Sequence, residues 1–301
     1  MNRSVKGNLV AFFTVLVWGT TFITTKILLQ DFLPVEILFT RFVMGLLALF
    51  AAYPHRLKFL GMKKELTLML AAITGVTLYY LLENMALTYT YASNVGVLVS
   101  VSPCMTAVLA HYVLKTEPLK PTFFVGFFIA ICGIVLISLN GSENLGLNPR
   151  GDILAIIACF MWAVYSVTTK KMGEWNINNV QITRRTFLYG TIFMLPFAVY
   201  FGYRPKLELV FSLKYLPSFL YLGLVASAAC FATWNIAIKL LGAVKTSIYI
   251  YLIPVITVIM SFFVLHEKIT PMAFLGTAFT LLGLFISEGR LNLAAFKRKK
   301  A

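Results

Sequence analysis

Apolar runs of about twenty residues alternate along the chain with short polar or charged stretches, and Pro or Gly marks many of the joints. One set of runs covers residues 7–29, 33–53, 66–89, 92–114 and 121–140, and a second covers 151–171, 178–201, 215–239, 244–265 and 271–289. About 20 mainly apolar residues make a helix that crosses roughly 30 Å of hydrocarbon. The pattern therefore predicts an all-α polytopic membrane protein with ten transmembrane helices. The polar stretch NGSENLGLNPRG, residues 140–151, separates the two sets. The expected organisation is a five-helix unit over 1–140, a second over 150–290 and a basic tail over 291–301.

The two sets repeat each other. LVWGTTFITTK, residues 16–26, matches FMWAVYSVTTK, residues 160–170, so that Trp18, Thr24, Thr25 and Lys26 answer to Trp162, Thr168, Thr169 and Lys170. The first stretch could be taken for the end of a secretory signal, but a cleaved signal has no reason to recur in mid-chain. The same offset pairs Gly7 with Gly151 and Arg41 with Arg185. Further on, NMALTYTYA at 84–92 resembles NIAIKLLGA at 235–243, which pairs Asn84 with Asn235, and Pro103 with Pro254 follows at the same spacing. Each set ends in Glu, Pro and two glycines in register: Glu117, Pro121, Gly126 and Gly133, then Glu267, Pro271, Gly276 and Gly283. Five spans per unit is an odd number, so the second unit must cross the membrane upside down. Inverted repeats of this kind build secondary carriers with a site near the midplane.

Composition and charge sharpen the picture. Of 301 residues 59% are hydrophobic and 12% charged, with a mean hydropathy of +0.85, which leaves no room for a separate soluble domain. The net charge of +15 does not point to nucleic acid, because the basic residues fall in short loops between apolar runs. With the N-terminus inside, Lys63, Lys64, Lys115, Lys120, Lys170, Lys171, Lys239, Lys245 and the Lys297–Lys300 run share the cytoplasmic side; Lys26, Arg150, Arg204, Lys206, Lys214 and Lys268 lie opposite. This bias predicts an inner-membrane protein with both termini in the cytoplasm. Cys104, Cys132, Cys159 and Cys230 all sit inside apolar runs and read as packing residues.

Trp18 with Gly19, and the stretch SPCMTAVLAHYVLKTEPLKPTFFVGFFIAICGIVL with its second copy IPVITVIMSFFVLHEKITPMAFLGTAFTLLGLFI, resemble the EamA-type branch of the drug/metabolite transporter superfamily. The likeness runs from about residue 7 to 290. It departs at Ala163, where the first copy has Gly19, and at Pro118, where a basic residue is usual. The resemblance implies a ten-helix exporter of small metabolites, often amino acids and aromatic ones among them, with a central cavity between the halves.

Several residues stand out as candidates for contact with a cargo. Arg41 lies about 12 Å into its span at 1.5 Å per residue, and Glu83 lies at similar depth from the same side. A central Arg costs about 2.5–3.5 kcal/mol to insert, so it should face a partner or a wet cavity. Arg41 and Glu83 are expected either to pair or to face a cavity together. Arg184 and Arg185 enter a span from the cytoplasmic side, where snorkelling to phosphate headgroups competes with reception of a cargo carboxylate. Tyr80, Glu83, Asn84 and Leu87 fall on one helical face, and Asn84 and Asn235 suit either ligand contact or a clamp across a helix interface. Trp18, Thr21, Trp162, Tyr165, Trp234 and Tyr249, with Tyr79 and Tyr251 beside them, suit the wall of a cavity for an aromatic or apolar cargo, or plain core packing. Pro103 and Pro254 are expected in mid-helix, each denying a donor to a carbonyl one turn earlier, near Val99 and Ile250, as hinges or simple bends. Glu117 and Glu267 read as turn contacts, Lys26 and Lys170 as anchors, and the paired glycines as close helix contacts.

No Walker A, Rossmann, HExxH or Ser-His-Asp pattern occurs, and His55, His111 and His266 lie at loops or span ends. Neither enzyme nor cofactor nor metal is expected. The partners expected are a small-molecule substrate and membrane lipids, with no nucleic acid, for a monomer or a homodimer. The function read from the sequence is alternating-access export of a small metabolite, an amino acid foremost. Efflux of lipophilic or lipid-like molecules, and a non-transporting receptor or assembly protein, stay open beside it. Coupling to protons through Glu83 and uncoupled flux are both open.

Overall fold

The structure, a computed structural model, describes residues 2–55, 57–89, 95, 98–115, 120–138, 148–265 and 270–287. Glu117, Glu267, His266, the tail 291–301 and the side chain of Lys26 lie outside the described residues. Every described element is helical. The rods are α1 Arg3–Leu28, α2 Pro34–Ala52, α3 Met62–Tyr89, α4 Ser102–Leu114 and α5 Pro121–Ser138. They continue as α6 Pro149–Met172, α7 Asn179–Tyr200, α8 Leu216–Leu241, α9 over 243–265 and α10 Pro271–Ser287. Among the described residues Arg3–Thr25, Pro34–Ala52, Met62–Tyr89, Pro149–Met172 and Leu216–Leu241 are long and apolar enough to cross a membrane, and Ser102–Leu114, Pro121–Ile137, Ala243–Thr257 and Pro271–Ser287 are shorter apolar helices. The remaining rod, α7, carries Arg184 and Arg185. Large apolar side chains such as Phe13, Leu47, Phe128, Ile153, Phe160 and Phe274 are exposed on the outside, as a protein solvated by lipid requires.

Local chemistry starts the helices. Asn2, Asn148 and Asn178 each accept a hydrogen bond from a backbone N–H of the first turn, of α1, α6 and α7 respectively. At α2, Pro34 occupies the first turn, where its missing N–H costs nothing, and Glu36 reaches back to the Leu33 N–H at 2.8 Å.

Gly7, near the start of α1, packs against Leu240 and Leu241 at the end of α8, and Gly173, just past the end of α6, packs against Lys239 of the same helix. The beginning of α1 and the end of α6 thus share a face, which makes these equivalent helices antiparallel and the repeat inverted. Two groups result: α1 packs with α8 and α9, and the equivalent α6 packs with α3 and α4. The pair α2 and α7 packs together at one side of them.

α3 and α8 each contain π-helical turns, at Ile73–Leu78 and Tyr221–Ala229. The offset that pairs Asn84 with Asn235 carries residues 73–78 onto 224–229, so the irregularity is repeated with the fold. α9 is broken too, passing from Ala243–Ser247 through a 3₁₀ turn, Ile248–Tyr251, into Leu252–Leu265. In α4 the helix begins at Ser102 after a turn at 100–101. The expectation of mid-helix prolines is corrected here. Pro103 and Pro254 stand in the first turn of a resumed helix, because the breaks lie just before them and a first turn needs no N–H from proline.

α5 and α10, the last helices of the two units, lie along each other through glycines. A Cβ on Gly133 would stand 2.5 Å from the Gly276 carbonyl oxygen, and one on Gly283 would stand 2.6 Å from that of Gly126. Backbones this close gain contact area that any side chain would forfeit. Gly133→Val is expected to force the helices apart, at a cost of about 3 kcal/mol, the upper end of overpacking penalties. Thermal unfolding in detergent, followed by loss of the monodisperse chromatographic peak, should show the drop, and an unchanged midpoint would refute this account of the contact.

Candidate functional site

A cavity of about 610 Å³, the open solvent at its mouth included, lies between the two groups of helices. α1 contributes Trp18, Thr21, Phe22 and Thr25, α2 contributes Arg41, and α9 contributes Ile250 and Ile253. Facing them are Tyr79, Tyr80, Glu83, Asn84 and Leu87 of α3, Val99 and Ser102 at the α4 break, and Trp162 of α6. On α1 and α3 these residues follow the middle of the rod, so the cavity occupies the half of the bundle away from the N-terminus.

Arg41 is 3% exposed. Its Nε donates to Ser227 Oγ at 2.9 Å, and its guanidinium lies 5.0 Å from the centre of the Tyr80 ring. Ser227 stands in the π segment of α8, whose wider turns carry it toward α2, and Gly45 and Gly223 let the two backbones approach closely enough for the bond. The neighbouring Ala226 carbonyl accepts from Trp18 Nε1 at 3.0 Å, which fixes the indole against the cavity. Opposite, Glu83 is 7% exposed, and its Oε1 accepts from Tyr79 at 2.9 Å. No ion pair among the described residues joins Arg41 to Glu83. Of the two expectations for these residues, the structure has the shared cavity. Arg41 and Glu83 both line it without pairing.

The floor is aromatic. Trp18 lies 5.4 Å from Trp162 in an edge-on arrangement and 5.0 Å from Trp234, and the Phe231 ring sits amid Trp18, Phe42, Tyr80, Trp162, Tyr165 and Phe187. Edge-to-face contacts of this kind add to burial and give the floor a defined shape.

Trp18, Thr21, Arg41, Tyr80, Glu83, Asn84 and Trp162 thus share one cavity, while Tyr165, Trp234, Asn235 and Tyr249 are not on its lining. Tyr165 and Trp234 belong to the layer beneath, both fully buried. Asn235 accepts from the Tyr165 hydroxyl at 2.7 Å and donates to Thr183 Oγ1 at 3.0 Å, a side-chain link across α6, α7 and α8. Tyr249 lies in the 3₁₀ turn of α9, where successive residues point about 120° apart; Ile250 therefore takes the cavity and Tyr249 turns away. Val99 and Ile250, whose carbonyls the prolines cannot serve, both reach the lining.

Ser227 and Phe231 were not singled out from the sequence. The repeat offset that relates Tyr80 to Phe231 was the available signal for the second, but nothing in the sequence marks a π turn, and Ser227 depends on one. Among the described residues no group of His, Cys, Asp and Glu stands close enough to hold a metal ion.

Arg184 and Arg185 do not reach the cavity. Arg184 donates to the carbonyls of Tyr53 and His55, and Arg185 donates to that of Leu57 at 2.6 Å, with Glu65 at 3.8 Å. Together they hold the α2–α3 connection on the N-terminal face. On the other face Lys206 pairs with Glu36 at 3.0 Å and donates to the Asp31 carbonyl at 2.8 Å, and Tyr215 bonds Asp31. The connection between α7 and α8 is tied in turn to the start of α2.

The EamA-like transporter family matches residues 5–139 and again 149–288. The chain belongs to this family. An uncharacterized transporter of Archaeoglobus fulgidus is 29% identical over 95% of this chain and 98% of its own length. A probable terminal-alkyne amino-acid exporter of Streptantibioticus cattleyicolor is 24% identical over 92% and 91%. A crystal structure with 17% identity superposes with a TM-score of 0.77 over 96% of this chain and 98% of that one, which supports the fold. The EamA family and these transporter names make the chain a multi-pass membrane transporter of the drug/metabolite type.

Replacing Arg184 with Ala takes its donor from the Tyr53 carbonyl and leaves the His55 carbonyl with Gln181 Nε2 alone, at 3.2 Å. Limited proteolysis from the N-terminal face is expected to cut residues 53–61 at least about tenfold faster in Arg184→Ala, as local opening of that free energy implies. Equal rates would mean that the arginine does not restrain the connection.

Proposed function

We propose that this EamA-family chain exports a small zwitterionic metabolite, an amino acid, by alternating access across the inner membrane, with both termini in the cytoplasm. The observation that carries this reading is that Arg41 and Glu83 line one cavity without forming an ion pair among the described residues. Two charges left apart in a poorly solvated space are costly, and a ligand bearing both complementary charges relieves both at once. A carboxylate takes the guanidinium edge of Arg41 that Ser227 leaves free, and an ammonium group takes the carboxylate of Glu83. The side chain of the cargo then rests on Trp18 and Trp162, which favours apolar or aromatic amino acids.

Such a cargo also supplies a force for closure. Arg41 is bonded to α8 in one group of helices and Glu83 belongs to the other, so a zwitterion bridging them draws the walls together. Closure on one face and opening on the other is what an inverted repeat permits. The amino-acid exporter among the relatives supports the same cargo class, and the Lys/Arg distribution supports the orientation. Arg41, Glu83 and Asn84 on the lining weigh against lipid-like cargo, for which a wholly apolar cavity would serve better.

Counterflow in reconstituted vesicles tests the reading with an amino acid, its decarboxylated amine and its deaminated acid. Wild-type protein should exchange the amino acid and discriminate against both analogues by about tenfold to a hundredfold, the worth of one charge-assisted hydrogen bond. Arg41→Ala should lose discrimination against the amine, and Glu83→Gln against the acid. Exchange of lipophilic cations but of no amino acid would overturn the proposal. Flux that keeps its pH profile in Glu83→Gln would exclude proton coupling through that group.

A further inference from the structure

The open cavity has an image elsewhere in the chain. The offset that relates Trp18 to Trp162 carries Thr21, Phe22 and Thr25 onto Tyr165, Ser166 and Thr169. The offset that relates Asn84 to Asn235 carries Tyr80 and Glu83 onto Phe231 and Trp234, and it exchanges Val99 and Ser102 with Ile250 and Ile253. The tryptophan pair and the residues at the two helix breaks are therefore common to the cavity and its image. The rest of the image lies in the half of the bundle nearer the N-terminus, between α6 and α7 on one side and α8 on the other.

That half is shut. The Tyr165–Asn235–Thr183 link crosses the seam, and farther out Gly173 touches Lys239. Yet the seam is not chemically finished. Ser166 Oγ on one side and Trp234 Nε1 on the other, with Trp162 Nε1 between the seam and the open cavity, are buried without a hydrogen-bond partner among the described residues. A buried donor left unpaired costs about 1–3 kcal/mol, and a core with no other use for the position is better served by Phe or Ala. Such groups are not confined to this seam, but here they stand in the places that the repeat assigns to a cavity wall.

We infer that this seam, lined by Tyr165, Ser166, Trp234 and Asn235, is a second half-site for the cargo, closed in this structure and opened toward the N-terminal face when the present cavity closes. It rests on the alternating-access reading above and adds the residues that meet the cargo on the other side. Its chemistry differs from that of the open half. Trp234 replaces Glu83, and Arg185, the counterpart of Arg41, is turned to the carbonyls of the α2–α3 connection. The closed half-site offers indole N–H and hydroxyl groups and no acid, so it holds the cargo by its carboxylate.

Accessibility to an impermeant methanethiosulfonate tests this without any cargo, in sealed vesicles of each orientation. In a background without Cys104, Cys132, Cys159 and Cys230, Ser166→Cys and, as a second variant, Thr169→Cys should react from the N-terminal face. A staple is available across the seam. A Cβ on Gly173 would stand 3.3 Å from that of Lys239, near the roughly 3.5–4.5 Å spanned in disulfides. Oxidising Gly173→Cys/Lys239→Cys should cut labelling at position 166 or 169 by about tenfold or more, reversibly by reductant, as expected when one of two states is removed. Thr21→Cys should stay reactive from the opposite face. If neither inner variant reacts while the protein still performs counterflow, or if both react equally with the staple closed, the half-site is wrong. Failure of zwitterion counterflow with intact, staple-sensitive labelling would instead refute only the cargo.

Discussion

Hydrocarbon offers no hydrogen bonds, and that constraint organises the whole molecule. Each departure from a regular helix in the bundle has to find its partners within the protein. The departures are consequently concentrated where the protein gains from them. The π segment of α8 places Ser227 on Arg41 and an Ala226 carbonyl on Trp18. The π segment of α3 lets Thr77 donate to the Gly190 carbonyl of α7 at 3.0 Å. The breaks in α4 and α9 lie beside the cavity, where backbone that leaves the helical pattern meets open volume instead of lipid. Irregular backbone, buried charge and cavity are one feature seen from three sides.

The placement of charge follows the same logic. Arg41, in no ion pair among the described residues, is held by a hydroxyl and an aromatic ring, two partners that accept a cation without neutralising it. Glu83 is held by a phenol. Direct pairing would satisfy both residues and leave the cavity electrically inert. Arg184 and Arg185, near the membrane face, are spent on loop carbonyls and a carboxylate, and their role is mechanical.

Much of the fold was legible in the sequence. Run lengths of about twenty apolar residues and the recurrence of Trp, Thr-Thr-Lys, Asn, Pro and Glu-Pro-Gly-Gly in order are properties of the chain itself, and they led to two inverted units before any coordinates. The glycine pairs foretold close helix contact, which the structure places between α5 and α10. Of the cavity lining, Arg41, Glu83, Trp18, Thr21, Tyr80, Asn84 and Trp162 stood out in the sequence. What sequence could not carry was helix phase. A π turn rotates everything beyond it by about a further residue relative to an α-helix, so facing cannot be propagated along α3 or α8 by counting. Asn235, read as either a ligand contact or a clamp between helices, links Tyr165 and Thr183 side chains across α6, α7 and α8. The prolines misled in a similar way, since a proline that follows a break and a proline that makes one look alike in a string of letters.

The glycine contact of α5 with α10 also bears on how the protein is made. The backbone groove on α5 is complete when residue 138 has left the ribosome, but the surface that fits it arrives only with residues 271–287. During synthesis of everything between, that groove faces lipid or the insertion machinery. This contact therefore forms only after the helices that interleave the two halves, α1 with α8 and α9 and α2 with α7, have all been made.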